Sequence, residues 1–180
     1  MSEQPERSAV PLSSGILGGA KVHVAVTGLM GVGKTTIAEL LAARLGRHHR
    51  DSDRDIETLT GVTGRDIAAV HDTDVLHRYE EAVALGALAS TEPFVISVAG
   101  FAIESGLCRD ALARRAVVIW LELPVSVALR RAATGHHRRP IDHAEQQAIS
   151  DRRTPLLRSS ADIVVDAGAT PAEILGALLS

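Results

Sequence analysis

Residues 28 to 36 read Gly-Leu-Met-Gly-Val-Gly-Lys-Thr-Thr, which satisfies G-x-x-x-x-G-K-[ST] with Gly28, Gly33, Lys34 and Thr35 at the defining positions. A loop wrapped round a polyphosphate must turn its backbone N–H groups inward, and glycine tolerates the positive φ this demands. The lysine neutralises β- and γ-phosphate oxygens, and the threonine hydroxyl can hold Mg²⁺. The chemistry indicated is the handling of a nucleoside triphosphate. A glycine-rich turn that binds nothing is the rival reading, and the flanking elements weigh against it.

A second cluster, Asp51-Ser52-Asp53, lies downstream. Carboxylates one residue apart on a strand end share a face, because side chains alternate with period two. One would orient a Mg²⁺ shell, and the other would accept a hydroxyl hydrogen bond or proton. The same residues also suit a solvated acidic turn, or an N-cap in which Asp53 caps residues 54–59.

The phosphate loop needs a strand before it and a helix after it. Residues 22–27 form a short β-branched run of the buried-strand kind. Ile37, Leu40, Leu41 and Leu45 then recur at helical spacing, with Gly46 as the stop. Further strand-like runs occur at 93–98, 116–121 and 162–165. Helical patterns fill 75–89, 105–114, 125–133, 143–157 and 171–179. Strands alternating with helices predict an α/β domain with a parallel sheet covered on both faces. The strand expected after the first helix is poor, since Arg47-His48-His49-Arg50 is basic, and it is placed short and at an edge. Residues 51–75 are polar, helical in pieces, and broken by Gly61 and Gly64. Residues 134–140 form a basic loop. Loops so charged on an α/β scaffold sit where ligands bind.

At 180 residues the chain is expected to make one domain, residues 21–180, after a flexible Ser-, Pro- and Gly-containing tail at 1–20. Aromatics are only 2% of the chain, so the core must be built from Ala, Val, Leu and Ile. A net charge of -3 argues against nucleic acid or an anionic membrane as partner. No apolar run reaches the roughly 18 residues of a membrane span, and the N-terminus lacks the features of a signal peptide. A cytoplasmic monomer is expected, and lone Cys108 fits a reducing compartment. The paired histidines at 48–49 and 136–137 show no metal-ligand spacing. Trp120 reads as core.

The loop, the helix, Asp-Ser-Asp, Ile56-Glu57, Thr60-Gly61, Glu80-Glu81, Arg139-Pro140 and Arg153-Thr154-Pro155-Leu156 together resemble shikimate kinase, from about residue 22 to the C-terminus. The resemblance implies a three-layer P-loop kinase fold with a five-stranded parallel sheet, a substrate-binding segment at 51–90 and a lid at 134–142. It further implies ATP and Mg²⁺, with a small hydroxylated molecule as substrate. Carried onto this chain, Gly28, Met30, Gly31, Val32, Gly33, Lys34, Thr35, Thr36 and Arg131 would serve ATP, and Thr35 and Asp51 the metal. Asp53 would bind the acceptor hydroxyl and act as base, Arg139 would close over the phosphates, and Arg153 would pair with a substrate carboxylate.

The departures fall on the acceptor side. The family's second carboxylate-binding arginine aligns with His77, whose neutral imidazole cannot supply a charged bidentate fork. Arg78 is the adjacent substitute, but one residue along a helix turns a side chain by about 100°. The family's triple-glycine turn becomes Ala99-Gly100-Phe101, which sets a ring where backbone approaches ligand and makes any positive φ there costly. The expected activity is thus phosphorylation of a shikimate-like cyclic polyol or hydroxy acid other than shikimate. The rivals are an authentic shikimate kinase with a variant pocket, and an inactive ATP-binding paralogue. A nucleoside kinase is disfavoured by the scarcity of aromatics for base stacking.

Overall fold

The computed structural model describes residues 22–132 and 142–180. Strands β1 (His23–Thr27), β2 (His48–Asp51), β3 (Phe94–Ser97), β4 (Ala116–Glu122) and β5 (Ile163–Asp166) form one sheet in the order β2-β3-β1-β4-β5. All four pairings are parallel. The helices between them are α1 (Lys34–Leu45), α2 (Ser52–Thr60), α3 (Gly64–Val70), α4 (Thr73–Ala89), α5 (Gly106–Arg115), α6 (Val125–Ala132), α7 (His143–Ser160) and α8 (Pro171–Leu179).

The strand alternation sorts the core into two layers. Val24, Val26, Val117, Ile119 and Leu121 pack with Ile37 and Leu41 of α1 and Ile174 and Leu178 of α8. Ala25, Ile96, Val118 and Trp120 point the other way, onto Leu88 of α4, Leu112 of α5 and Leu157 of α7. Small aliphatic side chains fill both layers, and Trp120 is 4% exposed within one of them. A third, smaller cluster of Ile56, Ile67 and Val83 supports the segment between β2 and β3.

The weak second strand does form, and it forms at the sheet edge. β2 lies along β3 with Asp51 opposite Ser97. His49 Nε2 meets Ser97 Oγ at 2.8 Å, and Arg50 folds back onto Asp55 at 2.7 Å. Gly61 stops α2 in the left-handed conformation, and Thr63 caps α3. Helix α7 extends past the expected end at 157 by continuing through Pro155 to Ser160. That proline removes one N–H from the helical ladder immediately after Arg152 and Arg153. The tail at 1–20, the lid at 134–142 except Asp142, and Arg139 lie outside the described residues. Asp142 caps α7, its Oδ1 accepting from the Glu145 N–H at 2.8 Å.

Candidate active site

The loop after β1 is shaped by its glycines. Gly28, Gly31 and Gly33 have φ of 145°, 85° and 96°. A Cβ at Gly31 would stand 2.1 Å from the Ala128 carbonyl oxygen, and one at Gly28 would stand 2.7 Å from that of Leu121. Those two positions therefore admit only glycine, whereas Gly33 faces open space and requires glycine for φ alone. Val32 is buried in the core, so only its backbone is available to a ligand. Lys34 is 7% exposed and curls back over the loop, its Nζ donating to the carbonyls of Gly28 and Leu29 at 3.0 Å each.

The helix that follows presents Thr35 towards β2. Thr35 Oγ1 donates to Asp51 Oδ2 at 2.8 Å. Asp51 closes β2 and also caps α2, its Oδ1 accepting from the Asp53 and Arg54 N–H groups at 3.0 and 3.3 Å. This corrects two expectations. Asp53 does not share a strand end with Asp51 but stands exposed in the first turn of α2, and the capping residue is Asp51. The carboxylates still reach one space, because a cap and the first helical turn are adjacent in three dimensions. Ser52 between them is buried, donating to the Ser97 carbonyl and accepting from the Ala99 N–H.

That space is a cavity of about 430 Å³ whose lining includes Met30, Lys34, Thr35 and Asp51. Asp53, Arg65, His77, Glu80, Gly100, Phe101 and Arg153 line it as well. Phe101 sits in a short 3₁₀ turn, Gly100–Ile103, and no residue other than glycine has positive φ among the described residues. The strain anticipated there is absent. Its ring stacks on the His77 imidazole, with centroids 3.7 Å apart and planes 2° from parallel. Burial, then the nearby charge of Arg153, holds the His77 pKa below its ordinary value, so the imidazole is neutral near pH 7.

Arg153 comes from α7 and packs against Gly100, where a Cβ would lie 2.7 Å from Nη1. Its Nε donates to Glu104 Oε1 at 2.5 Å. Arg152 engages the same carboxylate, its Nε donating to Oε2 at 2.7 Å and its Nη2 to Oε1 at 3.2 Å. Burial pushes the Glu104 carboxyl up, but hydrogen bonds from Arg152 and Arg153 outweigh it and leave the pKa below the usual value. Glu104 escaped the sequence reading. Its one signal is its place three residues after Phe101, a spacing that a 3₁₀ turn aligns on one side.

Other candidate residues are not brought to this cavity. Arg78 is exposed and turned away from it, as the 100° step implies. Thr36 is exposed on α1. Arg131 is exposed on α6, its Nη1 donating to the Ala167 carbonyl at 2.8 Å.

A model of the family described as "SKI: Shikimate kinase" matches residues 30–180. A Psychrobacter arcticus shikimate kinase is 35% identical over 163 residues, covering 87% of this chain and 86% of that protein. The chain belongs to the shikimate kinase family. A second relative, the Tolumonas auensis shikimate kinase, is 35% identical over 153 residues, 81% of this chain and 87% of its own. The crystal structure of Acinetobacter baumannii shikimate kinase in complex with shikimate is 28% identical with a TM-score of 0.78, covering 84% of this chain and 87% of that one. This family member is a small-molecule kinase with the P-loop kinase fold, for which ATP is a substrate. Among the described residues, none of its helices is long and apolar enough to cross a membrane.

Proposed function

We propose that this kinase transfers the γ-phosphoryl group of ATP to a hydroxyl of a small polar metabolite, a shikimate-like cyclic polyol or hydroxy acid. The observation that carries the reading is one open cavity that joins Lys34, Thr35 and Asp51 to Asp53, Gly100 and Arg153. ATP would lie along residues 28–36, with Lys34 exchanging two loop carbonyls for phosphate oxygens. Thr35 and Asp51 offer paired hard oxygen donors and would hold Mg²⁺. When bound, the cation neutralises charge on the phosphate oxygens.

Asp53 would orient the acceptor hydroxyl and take its proton. The acceptor oxygen forms a bond to Pγ while the bond from Pγ to the β–γ bridging oxygen breaks, its electron pair leaving on ADP. The rest of the work is positioning and charge neutralisation, which asks little covalent chemistry of the protein. Arg139 and the lid would exclude water from the loaded site. A cytoplasmic monomer is part of the same proposal.

A second reading, that shikimate itself is the acceptor, is favoured by the names of the relatives. The test is ³¹P NMR of the full chain with Mg·ATP and a panel of cyclic polyols and hydroxy acids that includes shikimate. Transfer to a panel member that disappears in Lys34→Ala supports the proposal. ATP binding without transfer to any member would favour a non-catalytic nucleotide-binding module.

A further inference from the structure

Among the described residues, the cations that line the cavity are Lys34, Arg54, Arg65 and Arg153. The carboxylates of Asp51, Asp53, Glu57 and Glu80 line it too, so placement rather than net charge decides where an anionic group can settle. Lys34 sits on the phosphate loop, its Nζ on two of the loop's carbonyls. Arg54 turns towards α1, its Nη2 donating to Glu39 Oε1 at 3.0 Å. Arg65 and Arg153 remain for the acceptor end.

Arg153 brings positive charge in spite of its carboxylate partner. Arg152 and Arg153 share the single carboxylate of Glu104, two cations against one anion. A guanidinium has five N–H donors, so one that pairs within the chain keeps donors for a ligand. Arg65 reaches the cavity from a different wall, in the first turn of α3. That turn is capped by the Thr63 side chain and pressed onto α4, where a Cβ on Gly64 would lie 3.2 Å from Leu76 Cδ1. Leu76 precedes His77, and Gly100, against which Arg153 packs, precedes Phe101. An arginine-bearing segment thus packs beside each member of the His77–Phe101 stack. The stack itself has no charge to offer, and Arg78, next along α4, does not line the space.

We infer that Arg65 is a specificity-determining residue of the acceptor site, supplying with Arg153 the charged fork that recognises a carboxylate on the acceptor ring. A carboxylate accepts two parallel N–H donors from such a fork, which a neutral imidazole cannot provide. The inference rests on the proposed phosphoryl transfer to a hydroxyl in this cavity, and it names the residue that tells a hydroxy acid from an uncharged polyol. The same fork would suit an oxygen of the transferred phosphoryl group, and the experiment separates the two sources.

That experiment uses the full chain with Mg·ATP and two rings bearing the same hydroxyls: shikimate, and its neutral analogue in which the carboxylate is reduced to a hydroxymethyl group. The wild type should favour shikimate in kcat/KM. Arg65→Ala should cut that preference by about tenfold or more, mostly through a higher KM for shikimate, with the KM for ATP held within a factor of about three. Arg65→Lys keeps the charge without the fork and should fall in between. Arg65 is exposed, so circular dichroism should show both variants folded. Should Arg65→Ala fail to fold, Arg65→Lys alone should still cut the preference several-fold. An unchanged preference in folded variants overturns the inference. An equal loss for both rings, the mark of a structural role, also overturns it, as does a rise confined to the KM for ATP, which would assign Arg65 to the phosphates. Wild-type preference for the neutral ring overturns it while leaving phosphoryl transfer standing. Transfer to neither ring by protein that binds Mg·ATP overturns the acceptor reading itself, and the inference with it.

Discussion

Thr35 Oγ1 and Asp51 Oδ2 lie 2.8 Å apart, and this hydrogen bond ties the start of α1 to the end of β2 in the wall of the cavity. The sheet makes the contact possible, because β1 delivers the phosphate loop from the centre while β2 delivers Asp51 from the edge. In the proposed function this hydroxyl and carboxylate would hold the cation, and their hydrogen bond already keeps them side by side.

Thr35→Val removes the hydroxyl while keeping shape. We expect kcat/KM to fall by about a hundredfold, on the scale of losing one transition-state ligand. Steady-state assays across a Mg²⁺ titration check this. A variant that keeps wild-type activity and Mg²⁺ dependence would remove Thr35 from the metal site.

Lys34→Ala should cost about a thousandfold or more in turnover, as expected for a preorganised charge aimed at the phosphates. Circular dichroism should show retained fold, since the lysine's hydrogen bonds to the Gly28 and Leu29 carbonyls lie within the loop itself. Unchanged turnover would cancel its catalytic assignment.

Asp53 is exposed, and its N–H rather than its side chain caps onto Asp51. Asp53→Asn should therefore leave folding intact and lower kcat by about a hundredfold or more, the usual scale of a lost general base. Calorimetry should find ATP affinity within a factor of about three. Selective loss of ATP binding with intact chemistry would contradict an acceptor-side role.

The three loop glycines should not respond alike. Gly31→Ala forces a Cβ into the Ala128 carbonyl in a left-handed backbone, a combination that should destabilise by about 2–4 kcal/mol. At about 2–4 °C per kcal/mol for a chain of this size, the midpoint should drop visibly in a thermal melt. Gly33→Ala, with open space around it, should cost about 1–2 kcal/mol, from φ alone. Equal effects would mean that crowding at Gly31 is relieved elsewhere.

Stability should depend on pH through the pair of groups at the acceptor end. The Glu104 pKa is lowered in the folded protein, so its contribution is present above the unfolded value of 4.5 and is lost as pH falls through that value towards the folded one. The His77 pKa is also lowered, so the unfolded chain takes up its proton first and stability declines as pH drops below 6.5. Melts of wild type and Glu104→Gln should differ most near neutral pH and draw together as pH falls progressively below 4.5. Curves that stay parallel would show that Glu104 gains nothing from its arginines.

The architecture was legible because it depends on period and punctuation. β4 is a nearly continuous apolar run and β1 a buried, β-branched one, and Gly61 broke α2 where its φ of 77° requires. Asp51 and Asp53 were legible as a pair but not in geometry, since a period-two argument holds only while the strand lasts, and β2 ends at Asp51. His77 and Phe101 stood out singly as departures. That they form one stacked unit was hidden, because 24 residues separate them and only the packing of α4 against the Gly100–Ile103 turn closes the gap. Glu104 carried only its three-residue spacing from Phe101 until α7 brought two arginines to it.

Helix α7 begins directly after the stretch assigned to the lid, buries Gln146 with its Nε2 3.5 Å from the Met30 carbonyl of the phosphate loop, and two turns later places Arg153 against Gly100. One rod thus leans on the nucleotide side and the acceptor side at once. If binding on one side tilts that rod, the other side would feel it, and the two substrates would then tighten or loosen each other's grip by the same factor, whichever arrives first.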